Sequence, residues 1–132
     1  MRSFLRMDQV KTVLQVGDPL PNATLYESTG YGNVCPLAPA PVKILDAVGS
    51  KKTIVFGIPA AFSTTCSEQH IPGFQKLADE FRQHGVESII CVAVNDGWVM
   101  GEYRKSLKAD KIRFLGDGDA EVRVDWNVLD RF

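Results

Sequence analysis

The fold is decided by residues 53–74, which read TIVFGIPAAFSTTCSEQHIPGF. Residues 53–58 form a continuous, largely apolar run, which is typical of a strand buried on both faces, and Pro59 ends it. From residue 67 to residue 83, apolar side chains recur at steps of three and four. This spacing predicts an amphipathic helix, kinked near its start by Pro72. Cys66 therefore lies at the start of a helix, just after a buried strand.

Further elements extend this pattern on both sides. The sequence predicts a short strand at 23–26, a loop at 27–42 rich in Gly and Pro, a buried strand at 88–94, a helix at 98–107 capped by Asp96, and a strand at 112–115. Alternating strands and helices predict an α/β fold with parallel strands and right-handed crossovers. In such sheets functional groups gather beyond the carboxyl ends of the strands, where Cys66 is placed.

The composition bounds the function. We expect a single domain over residues 1–132, with residues 1–12 as a mobile tail. The formal net charge of -1 argues against nucleic acid as a partner, and no apolar run is long enough to cross a membrane. Three cysteines at irregular spacing do not indicate a secreted disulfide framework. We therefore expect a reducing compartment, the cytoplasm, with the mitochondrion as the alternative because of a short basic start.

Cys66 stands in a polar segment at a helix N-terminus. The reactive form of cysteine is the thiolate, and an ordinary thiol with a pKa of ~8.5 is only slightly ionised at neutral pH. A shift to about 6 requires roughly 3.4 kcal/mol, whereas a helix N-terminus contributes at most about 2 kcal/mol. A nearby cation must supply the rest, and the neighbouring sequence does not provide one. The plain alternative is that Cys66 is a small buried apolar residue, as free cysteines commonly are.

A family resemblance bears on this choice. Residues 59–66, PAAFSTTC, resemble the Pro-x-x-x-Thr/Ser-x-x-Cys signature of the peroxiredoxins. The continuation SEQHIPGF is similar to type II, peroxiredoxin-5-like members of the redoxin family, as are VGDPLP at 16–21, VND at 94–96, WVM at 98–100 and FLGD at 114–117. The resemblance runs from about residue 16 to residue 120. It implies a thioredoxin-like fold, in which a central mixed sheet is flanked by helices.

The resemblance also implies roles for individual residues. Cys66 is expected to be the peroxidatic cysteine of a thiol-dependent peroxidase that reduces hydrogen peroxide and organic hydroperoxides. Ser63 is expected to hydrogen-bond the sulfur and the peroxide, and Pro59 to shield the thiolate from water; their structural alternatives are a helix cap and a strand stop. His70 is expected to order the pocket wall. The family implies no cofactor and no metal, thioredoxin or glutaredoxin as reductant, and a homodimer.

Two cysteines are candidates for the resolving thiol, which captures the sulfenic acid of Cys66 as a disulfide. Cys35 lies in the loop rich in Gly and Pro, within an insertion that resembles yeast and fungal members, where the equivalent cysteine resolves across the dimer. Cys91 lies in a buried strand, at a place where some plant-like type II members have a cysteine. We favour Cys35, because a core cysteine is commonly inert.

The sequence departs from the family at its C-terminal end. The family fold continues with a β-hairpin and a helix, and a strand there carries the arginine that supplies the missing positive charge. We expect this chain to be C-terminally truncated, without that hairpin and helix. Arg131, in an Arg-Phe pair, is a candidate for the family arginine, although a chance match is as good an explanation. The alternative function is therefore a catalytically impaired redox sensor or binding module.

Overall fold

The computed structural model describes residues 14–28 and 38–122, which form one five-stranded mixed sheet with helices on it. The strand order in the sheet is β2-β1-β5-β4-β3. The elements are β1 (Thr24–Glu27), β2 (Ala40–Lys43), α1 (Ile44–Val48), β3 (Thr53–Gly57), a π-helical turn (Cys66–His70), α2 (Ile71–Gln83), β4 (Ser88–Ala93), α3 (Gly97–Ser106) and β5 (Arg113–Gly116).

The sheet combines parallel and antiparallel pairs. Strands β3, β4 and β5 are parallel, with Cys91 of β4 opposite Phe56 on one side and Phe114 on the other. Strand β1 runs antiparallel to both β5 and β2. The expected thioredoxin-like architecture, a central mixed sheet flanked by helices, is confirmed. The predicted tail at 1–12 lies outside the described residues.

The burial predicted for residues 53–58 is wrong for most of the strand. Within the described part of the chain β3 is an edge strand, and its residues 53–56 are only partly buried. Strand β4 is the one buried on both faces, because it lies between β3 and β5. Its Cys91 faces the cluster that contains Cys66, and its neighbours Ile90 and Val92 face the cluster on the other side of the sheet.

The loop predicted at residues 27–42 is wrong at both of its ends. Glu27 closes β1, and residues 40–43 form β2, paired to β1 with Pro41 opposite Tyr26. Proline is tolerated here because β2 is an edge strand, where a missing N–H costs no ladder bond on the outer side. The short helix α1, which follows β2 directly and buries Ile44 and Ala47, was not predicted.

The predicted kink at Pro72 takes the form of a widened turn. The N–H of Ile71 donates to the carbonyl of Cys66, five residues back, and α2 begins only there. Proline next in the chain has no N–H to donate to the preceding turn, so the backbone winds loosely ahead of it. The helix ends at Gln83, as predicted, and Gly85 follows its cap with a φ of 85°, which suits a residue without a side chain.

Helix α3 anchors the first part of the chain. The Asp96 carboxylate accepts from the Val99 N–H at 2.8 Å, which confirms the predicted cap. A Cβ on Gly97 would lie 2.5 Å from Pro39, and one on Gly101 would lie 2.7 Å from Ser28. The described residues that flank 29–37 on both sides therefore pack directly on α3.

Candidate active site

Two loops meet at the carboxyl edge of the parallel strands. The loop after β3 leads to Cys66, and the loop after β4 carries Asn95. The Ala61 N–H donates to the Asn95 side-chain oxygen at 2.9 Å, so that one loop fixes the other. Asn95 was not predicted as a site residue. The sequence could have indicated Asn95 by its position just after β4, because neighbouring parallel strands end at the same edge of the sheet.

Cys66 lies where the sequence predicted it, at the N-terminal end of the helical segment. Its side chain is buried, with 8% of its surface exposed, and its thiol is free. The first amides of a helix have no carbonyl partner within the helix, and its dipole favours an anion at this end. The position therefore suits a cysteine that reacts as a thiolate.

The Ser63 hydroxyl, three residues before Cys66, has already given its proton to the backbone. It donates to the carbonyl of Ala60 at 2.9 Å. A serine hydroxyl has one proton and two lone pairs, so with its proton given to Ala60 it has none left for the thiolate, and the expected bond to the sulfur is not made. Its lone pairs can still accept the proton of a bound hydroperoxide. The Ser63 carbonyl accepts two bonds from Ser67, from the N–H at 3.0 Å and from Oγ at 2.7 Å.

Tyr103 of α3 lies behind the turn and was not predicted to be part of the site. Its side chain is fully buried, and its hydroxyl is 2.8 Å from Ser67 Oγ. The rings of Phe62 and Tyr103 pack against each other with their centroids 4.8 Å apart. Phe62 has a φ of 63°, and its side chain is 58% exposed. The sequence signal for Tyr103 was only that of a core residue on the apolar stripe of α3.

Cys91 shares the buried cluster with Cys66. Burial, and then the negative charge of a Cys66 thiolate, raise the pKa of Cys91 to about 12. Cys91 is therefore a protonated core thiol at neutral pH, which fits the core role considered for it.

The described arginines bond groups other than Cys66. Arg113 makes a two-pronged ion pair with Glu27, at 3.1 and 2.7 Å, and Arg82 bonds Asp79 at 3.4 Å. Arg104 donates to the carbonyl of Ala109 at 3.3 Å. Within residues 14–28 and 38–122 no arginine bonds the Cys66 sulfur, so the charge that the thiolate requires has no guanidinium source there.

The remaining predicted site residues divide into two groups. Pro59 is exposed just after β3, and the exposed ring of His70 packs against Phe56 at 5.2 Å. Arg131 and Cys35 lie outside the described residues. In the described ranges no group of His, Cys, Asp and Glu has the makings of a metal site, and no helix there is long and apolar enough to span a membrane.

Comparison with known proteins identifies relatives over most of the chain. A model of the Redoxin family matches residues 15–131. Peroxiredoxin-2E, chloroplastic, of Arabidopsis thaliana is 40% identical over 114 residues, which are 85% of this chain and 47% of that protein. Peroxiredoxin sll1621 of Synechocystis sp. is 45% identical over 81 residues, 61% of this chain and 43% of that protein. The chain thus spans about half the length of these curated relatives.

A solved structure shows the same arrangement. Reduced Prx3 in complex with hydrogen peroxide, from Vibrio vulnificus, superimposes with a TM-score of 0.78 at 36% identity. The match covers 87% of this chain and 69% of that one. These relatives come from a plant and from bacteria, so the expected likeness to fungal members stays a prediction.

Proposed function

We propose, for a chain that belongs to the redoxin family and within it to the peroxiredoxins, that Cys66 is the nucleophile of a thiol-dependent peroxidase. The Cys66 thiolate attacks the terminal oxygen of a hydroperoxide. An S–O bond forms, the O–O bond breaks, and the oxygen that leaves takes up a proton as water or an alcohol. Sulfur is oxidised to the sulfenic acid, and the peroxide is reduced.

The observation that carries this proposal is the position of Cys66 at a helix N-terminus, three residues after Ser63, whose hydroxyl donates to Ala60 and keeps its lone pairs free. A hydroperoxide carries one proton on its terminal oxygen, and the lone pairs of Ser63 are available to accept it, since the serine proton is given to Ala60. That bond would orient the O–O axis toward the sulfur. Pro59, at the mouth of the same loop, is proposed to keep water from the thiolate, and Arg131 to supply its counter-charge.

The test of this function is a burst measurement. The reduced protein is mixed with hydrogen peroxide, and separately with an organic hydroperoxide, and the loss of peroxide is followed in time. We expect fast consumption of one equivalent per chain. Consumption as slow as that of free cysteine would instead support the redox sensor or binding module.

We expect Ser63→Ala to slow the reaction with peroxide by ~10–100-fold, the effect of removing one group that positions or stabilises the reacting atoms. The Ser67 N–H and Oγ bonds to the backbone carbonyl of residue 63 remain, so the turn is expected to persist. Ser63→Thr, which keeps a hydroxyl, is expected to retain most of the rate. A Ser63→Ala protein with the wild-type rate would remove this residue from the site.

For the resolving step we propose Cys35, which attacks the sulfenic acid, forms the disulfide with Cys66 and releases water. The disulfide is proposed to join Cys35 of one chain to Cys66 of another, as in the fungal members that the sequence around Cys35 resembles. A thioredoxin or glutaredoxin dithiol would then reduce the disulfide.

We expect limited peroxide to give a covalent dimer of the wild type and of Cys91→Ser, but not of Cys35→Ser, on non-reducing electrophoresis. Cys91 is fully buried in the central strand, and moving it would break ladder bonds and apolar contacts. A dimer formed by Cys35→Ser and lost in Cys91→Ser would assign resolution to the strand cysteine. If neither variant nor the wild type forms a disulfide, an external thiol such as glutathione reduces Cys66 directly.

A homodimer in a reducing compartment completes the proposal. The side chain of Phe62, four residues before Cys66, is 58% exposed, and aromatic rings are enriched at contacts between chains. The Arabidopsis relative is chloroplastic by name, so the comparisons do not support the cytoplasm in particular. A reducing environment is what the proposed chemistry of free thiols requires.

A further inference from the structure

A chain of hydrogen bonds connects α3 to the turn that carries Cys66. Ser67 Oγ donates to the carbonyl of Ser63 at 2.7 Å and lies 2.8 Å from the hydroxyl of Tyr103. The one proton of Ser67 goes to the carbonyl, which can only accept, so Tyr103 is the donor to Ser67. Burial raises the pKa of Tyr103, and the phenol therefore keeps this proton at neutral pH.

The turn held by these bonds is one that needs support. Cys66–His70 is a π-helical turn, a geometry that occurs in short pieces and often at functional sites. Phe62, just before it, has a φ of 63°, which is costly for a bulky side chain and persists only where the surroundings enforce it. Tyr103 supports this backbone at two points: its ring packs against Phe62, and its hydroxyl is hydrogen-bonded to Ser67.

We propose that Tyr103 is a positioning residue that acts through Ser67 to fix the turn of Cys66 relative to Ser63, so that the sulfur is aligned with a peroxide held by the Ser63 hydroxyl. Ser67 is the neighbour of Cys66, and its hydroxyl is bound at once to Ser63 and to Tyr103. When the phenol is removed, Ser67 loses its outer partner, and the spacing between residues 63 and 66 is no longer fixed by α3. The proposal rests on the peroxidase function, since that spacing matters for the attack on peroxide.

Tyr103→Phe tests the proposal, because it removes the hydroxyl and leaves the ring contact with Phe62. We expect the rate of Cys66 with peroxide to fall about tenfold, as misplaced reacting groups cause. Alkylation of Cys66 by iodoacetamide, which needs no help from Ser63, is expected to change less than twofold. Ser67→Ala should give the same split, and the double variant should fall no further than either single one.

Two controls remove a hydroxyl outside this network. Tyr26→Phe acts on a half-buried tyrosine of β1, and Ser106→Ala on a serine of α3 that bonds only the Tyr103 carbonyl; both are expected to keep the wild-type rates. If peroxide and alkylation rates of Tyr103→Phe fall in parallel, or if neither changes, Tyr103 has a merely structural role and the proposal is overturned.

Amide hydrogen exchange separates this proposal from the peroxidase function itself. The Ser67 and Ile71 amides, which bond Ser63 and Cys66, are expected to exchange about tenfold faster in Tyr103→Phe, while the amides of β4 stay protected. If the wild type consumes peroxide no faster than free cysteine, the proposed peroxidase function is wrong. If exchange at Ser67 and Ile71 is unchanged in Tyr103→Phe, the role of Tyr103 is overturned, whatever the wild-type rate is.

Discussion

Cys66→Ser is expected to abolish rapid peroxide consumption, with a fall of ~10³-fold or more, because the group that forms the covalent intermediate is gone. Serine occupies nearly the same space, so the buried cluster around residue 66 is expected to hold and the protein to remain folded. The measurement is the burst of peroxide loss, followed by mass spectrometry of the chain. The Cys35→Ser protein, which lacks the proposed resolving thiol, is expected to carry one added oxygen at Cys66 after oxidation.

Cys91→Ser is the matched control for this result. It removes a thiol of the same buried cluster, but one whose pKa burial raises to about 12, so it carries almost no thiolate at neutral pH. We expect its peroxide burst to equal that of the wild type, although a polar hydroxyl on a central strand costs some stability. A burst that survives Cys66→Ser and disappears in Cys91→Ser would reverse the assignment of the nucleophile.

The location of the site could be predicted from sequence because it depends on local features. A strand stopped by Pro59, a polar loop and an amphipathic helix place Cys66 at the carboxyl edge of the sheet, and Asp96 announces α3 by its capping position. Each of these is a property of a few neighbouring residues. The signature at 59–66 depends on the same short stretch, which is why the expected chemistry and the expected fold agreed.

What the sequence did not predict depends on contacts between distant segments. The burial of residues 53–56 could not be judged from their apolar run, because β3 is an edge strand in the described sheet. Strand β2 forms despite Pro41 because β1 pairs with it. The bond between Tyr103 and Ser67 joins positions 36 residues apart, and neither position carries a motif that would announce it.

The same dependence on distant contacts makes one glycine a sensitive position. Gly116 ends β5, where the loop after β4 passes over it. A Cβ there would lie 2.5 Å from the carbonyl oxygen of Asn95, 2.7 Å from the backbone of Asp96 and 2.8 Å from that of Gly97. All three are backbone atoms, which cannot rotate away as a side chain can. Alanine at 116 must therefore displace the loop or the strand.

We expect Gly116→Ala to lower the free energy of unfolding by about 3 kcal/mol, at the upper end for overpacking, and the Tm by roughly 10 °C for a domain of this size. Urea denaturation and calorimetry measure both. Gly118→Ala is the matched control, since its Cβ would come no closer than 3.9 Å to the same loop, and we expect a change within about 0.5 kcal/mol.

The displaced loop also carries Asn95, whose side chain holds the Ala61 N–H in the segment before Cys66. We therefore expect the Gly116→Ala protein that remains folded at low temperature to react with peroxide more slowly than the wild type, whereas Gly118→Ala keeps its rate. Asn95→Ala, which deletes the same bond without the clash, separates the two effects: a slow peroxide reaction with a smaller loss of stability is expected. Equal stabilities of the two glycine variants would mean that the loop after β4 moves aside at little cost in free energy. That loop would then not hold residues 60–66 in a fixed position.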